Sequence, residues 1–130
     1  MPRAYTVATA ALALGMPIKW VDNILSHYSV PGIRQEKQGV ARRLSVDGLV
    51  VLALTALLIR DLGIPTRQAI AISEGLTKGE GSYTSPHDVR LQLDLVSFRA
   101  LLLEQLESAV EIAPIPKRGR PSENKTGRLE

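Results

Sequence analysis

The residues best suited to chemistry in this chain are cations and side chains bearing amides or hydroxyls, and they fall into three groups. Lys19, Trp20, Asp22, Asn23 and Ser26 are the residues left off the apolar face of one short helical pattern. Cations, amides and hydroxyls presented in this way can meet base edges and phosphates in the major groove of duplex DNA. Arg34, Lys37, Arg42 and Arg43 surround Gly39, and basic residues on such an arm reach phosphates or the minor groove. Lys117, Arg118, Gly119, Arg120 and Pro121 form the third group. There, glycine lets the backbone approach the floor of a narrow minor groove, the flanking arginines lie along it, and proline keeps the segment extended. Each group also has a plainer reading: Trp20 as a core residue, the arginine pair as a solvated hairpin, the basic tail as solvated charge.

Other chemistries find little support. The chain has no cysteine, which excludes disulfides, thiolate metal sites and a cysteine nucleophile. His27 and His87 are its two histidines, too few for an imidazole-built zinc site. Ser82, Ser85, His87 and Asp88 are the residue types of a hydrolase triad, but they crowd one short stretch, with no nucleophile elbow or phosphate loop. Glu104 and Glu107 read as solvated carboxylates. We therefore expect no catalysis, no cofactor and no metal.

The 130 residues carry a net charge of +3, and its distribution is uneven. Residues 1–43 sum to +4, residues 44–116 to −4, and residues 117–130 to +3. Positive ends around an acidic middle suit a polyanionic partner, attracted at long range. The apolar stretch Ala4–Ile18 imitates an export signal, but Tyr5, Thr6 and Thr9 interrupt it. The run Gly48–Ile59 is too short to span a bilayer. The expectation is a cytoplasmic, nucleoid-associated protein without membrane contact.

The elements that must position these groups follow from periodicity and punctuation. Thr6 reads as the N-cap of a helix over Val7–Leu14 that Gly15 ends. Pro17 opens a second helix, whose apolar face is Ile18, Val21, Ile24, Leu25 and Tyr28. Ile33–Leu44 reads as a two-stranded wing turning near Gln38-Gly39. Ser45 caps Val46–Leu62, which is apolar nearly all round and so the central core helix. Leu62-Gly63-Ile64-Pro65 is a stop. Thr66–Leu76 follows as a helix turning Ala69, Ile70 and Ile72 inward. Thr77–Asp88 reads as loop, and the alternation of Val89, Leu91, Leu93 and Leu95 as a half-buried strand. Asp94 or Ser97 caps a last helix to about Ile112, with Leu95, Phe98, Leu102, Leu106 and Val110 on one face. Leu101 and Leu103 widen that face.

From Tyr5 to Leu76 this order resembles the winged helix-turn-helix of the MerR family of bacterial transcriptional regulators. The matching residues are Tyr5-Thr6-Val7, Gly15, Gly39 with Arg42 and Arg43, Ser45-Asp47-Leu49, Leu62-Gly63-Ile64 and Gln68-Ala69-Ile70. Lys19 falls where the family has an arginine, and either Arg42 or Arg43 takes the place of its phosphate-contacting residue. Arg118-Gly119-Arg120-Pro121 resembles an AT-hook. The resemblances imply a mainly α protein. Residues 1–76 would be a winged helix-turn-helix with a small β-wing, and residues 77–88 a loop. Residues 89–112 would be a strand and helix for dimerisation, and residues 113–130 a basic tail.

The expected function is sequence-specific binding of double-stranded DNA as a regulator, a repressor or autoregulator, bound as a homodimer to an inverted repeat. Its DNA contacts would be Lys19, Trp20, Asn23, Ser26, Arg34, Lys37, Arg42, Arg43, Lys117, Arg118, Gly119 and Arg120. Leu91, Leu93, Phe98, Leu102 and Leu106 would form the dimer surface, the strand pairing with the wing or with its counterpart in a second copy; the plainer reading packs strand and helix on their own domain. Two other readings stay open: a structural protein that binds AT-rich DNA by shape, and an antitoxin-like adaptor.

Overall fold

Polar side chains and glycines set the helix ends. In the computed structural model, which describes residues 4–30, 33 and 43–112 (side chains to Val110), helix α1 runs Val7–Leu14. The Thr6 hydroxyl accepts from the Thr9 amide at 3.2 Å, so one otherwise orphaned donor is satisfied. Gly15 takes the left-handed conformation (φ 69°), and the Met16 amide donates back to the Ala11 carbonyl. That closure needs a residue without a Cβ. Helix α2, Ile18–His27, starts after Pro17 and has no side-chain cap. Helix α3, Val46–Leu62, is capped by the Ser45 hydroxyl, which accepts from the Gly48 amide at 3.1 Å. Gly63 ends it, again left-handed.

Two short strands tie the beginning of the chain to α3. Strand β1, Ala4–Tyr5, pairs antiparallel with β2, Leu44–Ser45, in the register Ala4↔Ser45 and Tyr5↔Leu44. Tyr5 and Leu44 are buried by this pairing. Leu44 thus has a partner at the chain start that the periodicity did not indicate, because two residues are too short to alternate. The rest of the expected wing lies outside the described residues.

Helix α3 is the centre of the molecule, and its buried positions run almost continuously from Gly48 to Ala56. Leu49, Leu52 and Leu54 are fully covered. Helix α4, Thr66–Lys78, packs chiefly on α3, and helix α5, Leu95–Ile112, chiefly on α1. Between α3 and α4 the Thr55 and Ser73 hydroxyls, both fully buried, share a 3.2 Å hydrogen bond. Thr55 also bonds the Val51 carbonyl at 2.8 Å. Without these bonds each buried hydroxyl would cost about 1–3 kcal/mol. In α4 the inward positions are Ala69, Ile70, Ser73 and Leu76, with Ile72 only half-buried.

The segment between α4 and α5 differs from its sequence reading. Residues 77–88 are not all loop: α4 continues to Lys78, and Ser82–Thr84 is strand β3. It pairs antiparallel with β4, Arg90–Gln92, a shorter strand than the alternation suggested. The hairpin turns at Ser85–Asp88, where the Ser85 hydroxyl accepts from the Val89 amide at 3.0 Å and Asp88 is left-handed (φ 65°). Among the described residues the partner of β4 is its own neighbour in the chain. Tyr83 anchors the hairpin on α4, its ring seated on Gly75, where a Cβ would lie 2.5 Å from the ring. Asp94 caps α5: its carboxylate accepts from the Ser97 amide at 3.1 Å and from the Ser97 hydroxyl at 2.9 Å. Those bonds hold its pKa below the usual carboxylate range.

Candidate nucleic-acid interface

Helix α2 owes its placement to a sharp division of its residues. Val21, Ile24 and Leu25 are buried against the core, while Lys19, Asp22, Asn23, Ser26 and His27 are exposed. At 100° per residue the exposed set occupies one continuous arc opposite the buried set. Ile18, read as part of the apolar face, is instead half exposed at 50%. It stands at the first position of the helix, before α1 and α3 can cover it. Trp20 settles between its two sequence readings: it is half-buried at the margin of the exposed arc and packs against the edge of the core.

The turn leading into α2 is braced from α3. The Arg60 guanidinium donates to the Leu14 carbonyl at 3.4 Å and lies 3.9 Å from the Met16 sulfur. A cation at the C-terminal end of α1 meets the negative end of its dipole. It thereby ties the entry to α2 to the most buried helix of the fold.

Arg43 is exposed, immediately before the buried Leu44. Arg34, Lys37 and Arg42 lie outside the described residues, as do Lys117, Arg118, Gly119 and Arg120. Of the residues expected to meet DNA, the structure therefore brings Lys19, Asn23 and Ser26 to one face, with Trp20 at its edge.

The sequence reading missed the neighbours of that edge. A shallow depression of about 600 Å³ separates the outer end of α2 from the first turn of α4, and Thr66 and Arg67 line it from the α4 side. The Arg67 guanidinium lies 5.8 Å from the centre of the Tyr28 ring, within cation–π range. A cation just after Pro65 was visible in the chain. What was not visible is that α4 folds back to set it beside α2.

The residues expected to hold a second copy are placed otherwise. Leu102 and Leu106 are buried within one chain, where α5 lies on α1, and Leu91, Leu93 and Phe98 are half-buried against the same core. The leucine face read as a dimer surface is thus largely the face α5 turns inward, and Ala109 rather than Val110 continues it. Val96, Leu103 and Val110 lie along one flank of that face, exposed at 81%, 37% and 38%. Asp47 at the start of α3 reaches Arg99 of α5 at 2.7 Å, an exposed ion pair. His87 and Asp88 sit exposed in the hairpin turn, and the Ser85 hydroxyl bonds the backbone amides of His87 and Val89.

Among the described residues no group of three or more His, Asp or Glu could hold a metal ion, and no helix is long and apolar enough to cross a membrane. Compared with protein-family models, with curated proteins and with solved structures, the chain shows no match. The meaning of the α2 face therefore rests on its own geometry and chemistry.

Proposed function

We propose that the protein binds double-stranded DNA sequence-specifically and regulates transcription, with α2 as the helix that enters the major groove. The observation that carries this reading is the exposed arc of Lys19, Asn23 and Ser26 on a short helix whose opposite face is buried and whose entry turn is braced by Arg60. A groove-reading helix needs both properties: donors on one side, and a rigid seat on the other. The two short helices joined at Gly15, followed by a segment of basic sequence, support reading the unit as a winged helix-turn-helix of MerR-like kind. The tail sequence Arg118-Gly119-Arg120-Pro121 adds a minor-groove contact and steepens the salt dependence.

The regulator acts as a homodimer. Val96, Leu103 and Val110 lie seven residues apart along one exposed flank of α5, a repeat at which one helix can pair with another. Paired antiparallel about Leu103, two copies would set Val96 against Val110. A parallel pair would instead set Glu107 against Glu107. Two α2 helices on one dimer would favour an inverted repeat with half-sites about one helical turn apart.

Selection of bound fragments from sheared genomic DNA tests the reading. The full chain should recover one short inverted repeat, and so should an Arg118→Ala/Arg120→Ala variant, with weaker retention. Lys19→Ala/Asn23→Ala should fold normally, with stability within about 0.5 kcal/mol, and lose about tenfold or more in affinity for the selected site. Recovery of diffuse AT-rich DNA that the tail variant abolishes would replace this reading with a structural, shape-reading role.

A further inference from the structure

The depression beside α2 is lined, among the described residues, by polar and apolar side chains around one fixed cation, Arg67. Among those residues, the charged or titratable groups that face it are His27 and Tyr28 at the end of α2 and Arg67 on α4, with the hydroxyl of Thr66 beside them. Among the described residues no carboxylate lines it, and Lys19 and Asp22 lie on earlier exposed turns of α2. Tyr28 holds the Arg67 guanidinium by its face, which leaves the N–H edges able to donate.

His27 has a constrained chemistry. Its Nδ1 lies 2.9 Å from the Asn23 carbonyl oxygen. A carbonyl can only accept, so Nδ1 carries the hydrogen and Nε2 is the nitrogen that gains or loses a proton. In the neutral ring Nε2 presents a lone pair, which an anion avoids. In the imidazolium it is a donor, and the depression then offers two cationic donors and a hydroxyl.

We propose that this depression binds a backbone phosphate of DNA, held between Arg67 and His27, and that binding takes up a proton at His27 Nε2. The inference rests on the reading of α2 as the helix that meets the duplex. A phosphate here would lie alongside the groove that Lys19 and Asn23 face, so Arg67 and His27 would fix the depth and register of α2 without reading sequence. Because the bound anion favours the charged ring, proton and phosphate strengthen each other, and affinity falls as pH rises.

The test is fluorescence anisotropy of a labelled duplex against the full chain from pH 5.5 to 8.0 at fixed salt. Affinity should weaken about tenfold across that range, the size expected when one charge-assisted phosphate contact is lost. His27→Gln should be flat at the weak level and His27→Arg flat at the tight level. Arg67→Gln should weaken binding at every pH. His87→Gln, changed in the hairpin turn, should follow the parent profile. A flat parent profile with binding intact, or a His27→Gln profile matching the parent, overturns this site alone. Absence of duplex binding at every pH overturns the reading of α2 and this site with it.

Discussion

Helices α2 and α5 both carry apolar residues at three- and four-residue spacing, yet they took up their positions on different grounds. In α2 the apolar residues Val21, Ile24 and Leu25 occupy one side and polar residues the other. Few orientations bury the first set without also burying Asp22, Asn23 or Lys19, and burying an unpaired charge is costly. In α5 the run Leu101-Leu102-Leu103 offers apolar side chains in three directions, so several rotations about its axis bury similar area. The contact with α1 chose Leu102, Leu106 and Ala109, and left Leu103 and Val110 outward. A strongly two-sided helix orients itself. A helix apolar on several sides is oriented by its neighbours.

The largest expected effect lies within α5 itself. Leu106→Ala should cost about 2–5 kcal/mol in urea unfolding, because a fully buried leucine leaves a cavity the surrounding helices close only partly. Leu103→Ala should cost well under half as much in the monomer, and its main effect should be on self-association measured by sedimentation. Equal losses of monomer stability would break the division of inward from outward leucines.

A smaller effect tests how the hairpin before α5 is seated on α4. In Gly75→Ala the new methyl would meet the Tyr83 ring, and the overpacking should cost about 1–3 kcal/mol even though alanine favours helix by roughly 1 kcal/mol. In a Tyr83→Ala background the same change should become neutral or stabilising. If Gly75→Ala stabilises the parent, the hairpin is not seated on α4 as described.

The smallest effect is a pH dependence. The folded pKa of Asp94 is depressed, so its contribution is fully present above the unfolded value and is lost as pH falls through the ordinary carboxylate range, around 3.9 and below. Asp94→Asn should therefore be less stable than the parent at neutral pH, with the difference shrinking on acidification. A difference constant with pH would mean that the carboxylate charge contributes nothing at the start of α5.

How far the sequence reached is clearest at these same elements. Thr6, Gly15, Ser45 and Gly63 marked helix ends correctly because capping is local chemistry, decided within a few residues, and of Asp94 and Ser97 it is Asp94 that caps α5. The β3–β4 hairpin was only half legible. Strand β4 alternates apolar and polar residues, but β3 is three residues among glycines and serines and has no period of its own. The exposed face of α2 was legible for Lys19, Asn23 and Ser26. Arg67, Thr66 and His27 were not legible as its neighbours, since their proximity depends on how α4 returns across α3.

By itself the sequence determined a mainly helical chain, the helix ends, the burial of α3 and which side of α2 faces outward. Each follows from local hydrogen bonding or from a hydropathy pattern with only one low-cost solution. Only the tertiary structure decided the β1–β2 pairing, the hairpin that takes up β4, the rotation of α5 and the placing of Arg67 over Tyr28. These join residues distant in the chain or choose among faces of similar apolarity. Such choices are made by packing the whole core, which no single stretch of sequence contains.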